Sequence, residues 1–255
     1  MNSSKLRRAA ALLVIMVALA VSSCAVTRIG GAPETTSFRL TGAAVIIRSD
    51  FGSVEVVPVP PTGGPDHEVR ITRWFEVEKT AGDAHAEWAK EGDDTIRLGG
   101  VCSGVIIDCR LRHRIEVPAD LPVKIKAESG SVVASQFTAP LEIDVSEGNI
   151  NLDRVSGPVE LATSNGSMRA ERLTSERVAA KAVDGYVILE FDRPPADVAT
   201  RSTRGNTTIR LPAADYRVKT DLSSAKSTIT VGQDADSEHR IAAKVSDGKL
   251  RVEPV

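Results

Sequence analysis

Two cysteines seven residues apart, Cys102 and Cys109 in CSGVIIDC, are the most reactive side chains in the body of this 255-residue sequence. In an oxidising compartment such a pair closes a disulfide, and a loop that short stabilises by about 2.5 kcal/mol on the chain-entropy account. A metal site would need further ligands, and the nearest histidine, His113, completes no ligand spacing. We therefore expect a disulfide, no metal and no cofactor. Asp144, Glu147 and Asp153 are the carboxylates that would suit glycoside hydrolysis, or loose cation binding, if one solvated face gathered them. The four histidines, His67, His85, His113 and His239, are dispersed and share no motif. Neither a GxSxG elbow nor a phosphate-cradling GxxxxGK[ST] occurs.

A third cysteine has a different setting. Lys5, Arg7 and Arg8 precede an unbroken apolar run from Ala9 to Val21, thirteen residues long. That is short for a permanent membrane span and has the layout of a secretory signal. The run closes in Val21-Ser22-Ser23-Cys24, which resembles the lipobox of bacterial lipoprotein signal peptides. The resemblance implies cleavage after residue 23, acylation of Cys24 and attachment to a membrane through the lipid. Acyl chains partition at about 0.8 kcal/mol per buried methylene, so a multiply acylated cysteine holds durably.

Removing residues 1–23 leaves 29 Lys+Arg against 34 Asp+Glu. A mildly acidic chain with scattered charge has no electrostatic footprint for nucleic acid. Nine aromatic residues in the whole sequence also leave few stacking platforms for bases or sugars.

The elements that must position these groups are announced by glycine. Gly130, Gly148, Gly166, Gly185 and Gly205 are spaced 18, 18, 19 and 20 apart, Gly52 has similar surroundings, and Gly248 closes the series. Ala225 stands where one more glycine is due. Self-similarity at such a period signals a repeat architecture. After each glycine, apolar residues alternate with polar ones: Val132/Ala134, Ile150/Leu152, Met168/Ala170, Val187/Leu189. Before it the same alternation runs through Val123/Ile125, Leu141/Ile143 and Val159/Leu161. Each unit reads as strand, tight turn, strand, with one face of each strand buried.

Two architectures share this pattern: a parallel β-solenoid with coils of about 18–20 residues, and an antiparallel meander or sandwich with Asn-Gly and Asp-Gly hairpins. The near-constant period favours the solenoid, because stacking requires the same inward positions to recur in register. In the solenoid Val159 and Val178 lie one strand apart. Inward residues shrink from Ile143, Leu152 and Leu161 to Ala180, Ala182, Thr200 and Ser202, so the core should thin, with Phe191 and Leu211 compensating.

Residues 24–37 show no periodicity and read as a tether, leaving 38–255 as a single domain. Pro58 to Pro65 reads as a loop. His67 to Lys79 alternates as a strand, Gly82 to Gly92 has helix-forming composition (DAHAEWAKE), and Asp94 to Leu98 is a further strand. We expect Trp74 and Trp88 to pack together and cap the open end of the solenoid.

HRIEVPADLPVKIKAESGSVVAS followed by GNINLDRVSGPVELATSNGSM resembles the bacterial putative-adhesin family, a domain of unknown function in exported and envelope proteins. The resemblance covers Phe38 to Val255 and rests on VPADLPV and the recurring polar-Gly turns. It implies a β-helical repeat domain and brings no catalytic residues. Ala225 and the Cys102/Cys109 segment depart from the family pattern. Together the readings point to a non-enzymatic, lipid-anchored, extracytoplasmic module for binding, scaffolding or adhesion. Its expected partners are the membrane, an envelope polysaccharide or a membrane protein. The alternatives are a polysaccharide-active enzyme on a β-helix and a sensor partner of a membrane regulator.

Overall fold

Val159 lies opposite Val178 and Leu161 opposite Ala180, each a parallel pair one repeat apart. Such pairing excludes the meander and makes the protein a parallel β-solenoid. The computed structural model describes residues 26–61 and 67–255, and every regular element among them is a strand. Cys24 and residues 62–66 lie outside the described residues. Of the segment expected as a loop, Pro58 and Val59 instead end the strand Ser53–Val59, in register with Val117 and Pro118, because this strand continues its pairing along the neighbouring one.

The chain opens with β1 (Thr27–Ile29), β2 (Glu34–Leu40), β3 (Val45–Ser49), β4 (Ser53–Val59), β5 (His67–Glu91) and β6 (Thr95–Pro118). The regular coils follow as β7 (Val123–Ser129) with β8 (Val132–Ser135), β9 (Leu141–Glu147) with β10 (Ile150–Asp153), and β11 (Val159–Asn165) with β12 (Met168–Leu173). Next come β13 (Arg177–Asp184) with β14 (Val187–Phe191), then β15 (Asp197–Leu211), which supplies both halves of its coil. The series finishes with β16 (Asp215–Leu222), β17 (Lys226–Ile229), β18 (Gly232–Gln233) and β19 (Arg240–Pro254). First-half strands stack as one wall and second-half strands as another. The apolar sides of the two walls face each other: Ile143, Ile150, Met168 and Leu189 are fully buried. Each such side chain contributes about 1.5–3 kcal/mol by leaving water.

Two corners turn each coil, and they solve the same steric problem differently. At the first, Gly148 has φ 144°, and a Cβ there would run into the carbonyl oxygen of Gly130 in the adjacent coil. The relation repeats from Gly130 onto Gly52 and onward to Gly248 onto Gly205, so the turn glycines form one column. At the second corner, Gln136, Arg154 and Arg172 adopt left-handed backbone at φ 63°, 53° and 52°. Each precedes a fully buried apolar residue, Phe137, Val155 or Leu173. Phe191 and Leu211 are fully buried as well, and Ala180, Ala182 and Ser202 are the small inward residues of the first-half wall.

At both ends the stacking order departs from chain order. The coil of β3 and β4 sits between β6 on one side and β7 and β8 on the other. At the far end β19 inserts between β15 and the coil of β16 and β17. Tyr216 and His239 meet at this crossover with ring centroids 5.7 Å apart. The Tyr216 hydroxyl donates to Pro212 O at 2.8 Å, and burial raises its pKa to about 12. Ala225 thus belongs to the outermost coil, in register with Gly248 but without positive φ. With no further coil stacked outside it, its turn is free to relax, and glycine is not required.

The segment expected to be helical, 82–92, is instead the second half of β5. Ala84, Ala86 and Trp88 are half-buried while Asp83, His85 and Glu87 are exposed, a period of two. Antiparallel pairing with β6, Trp88 to Leu98 and Ala84 to Cys102, overrides the local Ala/Glu/Lys propensity. The expected tether also folds, since β1 and β2 add antiparallel to β5 and close the N-terminal end. Trp74 and Trp88 do not stack on each other. The Arg73 guanidinium lies 4.0 Å from the Trp88 ring centre and Arg112 lies 5.5 Å from that of Trp74.

Cys102 and Cys109 are bridged, with Cα atoms 6.5 Å apart. Seven residues of straight strand would separate them by about 23 Å. The β5–β6 ribbon is therefore folded sharply over, at facing Gly82 (φ 105°) and Gly104 (φ 101°). A Cβ on either would strike the other strand's backbone. The bridge clamps that fold.

Candidate functional site

The outward side chains of the first-half wall change size along the stack. Lys124, Glu142 and Glu160 occupy one outward column, and Ala179 and Ala199 continue it. The drop in side-chain length opens a trough of about 520 Å³, continued by a second hollow of about 350 Å³ over Ala162. Pro122, Pro140 and Pro158 wall the trough at the corner where each coil begins. Proline has no N–H to leave unpaired there. Its carbonyl accepts the amide of the coil alongside: Val45 N to Pro122 O, Val123 N to Pro140 O and Leu141 N to Pro158 O, each at 2.9 Å.

Charge lines the trough without filling it. Lys124 pairs with Glu142 at 2.5 Å on the exposed wall. Arg177, Lys181 and Arg201 flank the alanines and take no part in the ion pairs among the described residues. An apolar floor with mixed charges at its edges suits an extended ligand held by contact and peripheral hydrogen bonds. It offers no nucleophile beside a base.

The carboxylates singled out from the sequence do not converge. Asp144 projects from β9 on one wall, Asp153 from β10 on the other, and Glu147 sits at the turn between them. Asp153 is held by Arg154 at 3.0 Å and by Arg172. The second wall carries more such ladders, Arg169 with Glu171 and Arg210 between Glu190 and Glu253. The Arg169 hydrogen bond lowers the Glu171 pKa, and Arg204 does the same to Asp184. No cluster of three or more His, Cys, Asp or Glu positioned for a metal exists among the described residues.

His113 is the one histidine the fold takes inside, 2% exposed, with neither ring nitrogen hydrogen-bonded. Burial, and then the charge of cross-strand Arg73, lowers its pKa to about 4. Arg73 reaches Glu34 with Nη2 but leaves Nε and Nη1 buried without partners. This pair lies under the N-terminal cap, away from the trough.

A family model described as Toastrack DUF4097 matches residues 68–253, from the start of β5 to the end of β19. The chain belongs to the Toastrack DUF4097 family. The Toastrack match takes in every coil except that of β3 and β4, which stacks inside the matched segment. No curated protein matches the chain. Among solved structures, a putative cell adhesion protein from Clostridium sporogenes is 10% identical, with 88% of this chain and 100% of that one covered at a TM-score of 0.35. A putative adhesin from Bacteroides fragilis is 13% identical, covering 88% and 97%, at a TM-score of 0.40. Similarity at that level carries no argument about function.

The trough residues escaped the sequence reading although part of their signal was present. Pro122, Pro140 and Pro158 recur every eighteen residues, as regularly as the glycines. Ala179 and Ala199 looked like ordinary strand residues because a small side chain announces nothing until its neighbours are known.

Proposed function

We propose that this Toastrack protein is a non-enzymatic, lipid-anchored, extracytoplasmic binding module. Cys24 carries the anchor, and the solenoid presents the alanine–proline trough to an envelope component, polysaccharide or protein. The trough supports this reading above all, since it is a concave apolar strip on a rigid wall with charged edges and no reacting groups. The enzyme alternative loses its footing because Asp144 and Asp153 project from different walls.

The test uses the full chain retained on isolated cell envelopes. Filling the trough with Ala179→Arg and Ala199→Arg should lower retention of detergent-released protein by about tenfold or more, equivalent to about 1.4 kcal/mol. Both positions are exposed, so the fold should be unaffected. Unchanged retention would remove the trough from the function. Separately, Cys24→Ala should release the chain from the membrane fraction, and crosslinking to one membrane protein would favour the sensor role.

A further inference from the structure

Eight large apolar side chains are exposed among the described residues, and five of them belong to β1, its flank and the folded ribbon: Val26, Ile29, Val101, Val105 and Ile107. Val105 and Ile107 are 60% and 57% exposed. Sheet register gathers them. Thr27 pairs with Lys79, which pairs with Ile106, and Ile29 pairs with Val77, which pairs with Cys109. Neighbouring strands lie about 4.8 Å apart, so β1 runs about 10 Å from the bend of β6. The Cys102–Cys109 bridge returns Val101 to the same corner.

We propose that this corner, the disulfide-clamped ribbon tip with the start of β1, rests in the lipid surface that holds Cys24. The inference depends on the anchored-module reading above. Cys24 is three residues before Thr27, and three residues span at most about 11 Å. An acylated Cys24 therefore keeps the bilayer within about 20 Å of Val105 and Ile107. Three of the charged neighbours at the corner are matched: Arg28 with Glu78 and Arg110 with Asp108, each at 3.0 Å, and Lys79 donating to Gly82 O. Asp83 at the bend is exposed and adds a negative charge that does not favour anionic lipid. The attraction is therefore apolar and needs no anionic lipid. A folded ribbon is a suitable wedge, since its clamp holds valine and isoleucine outward where an unclamped strand pair would straighten.

The experiment places a benzophenone amino acid at Val105, at Ile107 or at exposed Tyr186 in the full acylated chain. Each variant is reconstituted into phosphatidylcholine vesicles, its fold checked by circular dichroism and its Cys24 acylation by intact mass. Light should add phospholipid mass to the Val105 and Ile107 variants and none to the Tyr186 variant. An acylated, vesicle-bound chain without lipid adducts at either tip position overturns the inference and leaves the anchored module standing. Equal adducts at Tyr186 overturn it too, as does capture of a membrane protein at the tip in native membranes. A Cys24 without acyl chains overturns both readings.

Discussion

Replacing His113 by leucine should remove most of the protein's pH sensitivity between pH 6.5 and 4. In the folded chain the imidazole has lost its water, makes no hydrogen bond and faces Arg73, so it stays neutral down to about pH 4. In the unfolded chain it protonates near 6.5. Between those values the unfolded state binds the extra proton, so stability falls as pH falls and levels off below 4. The shift of about 2.5 pH units corresponds to about 3 kcal/mol in full, of which about 2.5 kcal/mol is lost by pH 4.5. Because His113 is 2% exposed, solvent screening takes little from that figure. The assay is urea unfolding at pH 7.0 and 4.5 for the natural chain and His113→Leu. The natural chain should lose about 2.5 kcal/mol more than the variant between the two pH values. Glu171 and Asp184, whose pKa values are lowered in the fold, also cost stability as pH falls below their ordinary range, but they do so equally in both proteins and cancel in the comparison. Equal losses in the two proteins would show that His113 is not buried neutral beside Arg73, and the account of the N-terminal cap would fail.

The glycine column predicts that Gly148→Ala costs about 3 kcal/mol or more in urea unfolding, combining positive φ with a backbone collision. Ala225→Gly in the outermost coil should instead cost no more than about 1 kcal/mol, the entropy of the freed unfolded chain. Thr207 is fully buried with its hydroxyl unpartnered, so Thr207→Val should raise stability by about 1 kcal/mol in the same assay. Removing the bridge with Cys102→Ser and Cys109→Ser should speed amide hydrogen exchange in the folded ribbon, residues 78–86 and 99–111, while exchange in β9 to β14 stays unchanged.

How much of this was legible in the sequence depends on whether the constraint is local. A Cβ on Gly148 meets a backbone oxygen of the preceding coil, so every coil but the outermost one with Ala225 supplies a glycine, and the period is written out residue by residue. Inward positions alternate for an equally direct reason. The second corner left no such trace, because Gln136, Arg154 and Arg172 hold left-handed backbone with ordinary side chains. The helix expected at 82–92 failed because Ala, Glu and Lys state a preference of tenths of a kcal/mol each, and twenty-one register pairs along β6 outweigh it. The order of coils at the two ends was also illegible, since one coil's inward face is much like another's. The trough depends on which outward residues become neighbours, and that is decided by the stacking.

The exchanged coils alter what a solenoid of this kind can do. In a simple repeat stack each unit contacts its neighbours in sequence, and the terminal units fray. Here β19 is paired on both edges, by β15 and by β16 with β17, so the last strand is an interior member of the stack. The coil of β3 and β4 is enclosed in the same way by β6 and by β7 with β8. Opening either end first breaks contacts between segments distant in sequence, which is a cooperative event. The trough runs from the β3 coil to β15, along the stretch between these two clasps. The folded ribbon lies beyond the first clasp. A module attached and steadied at that corner would hold its binding wall along an axis leading away from the membrane, with the alanines of β13 and β15 farther out than the prolines.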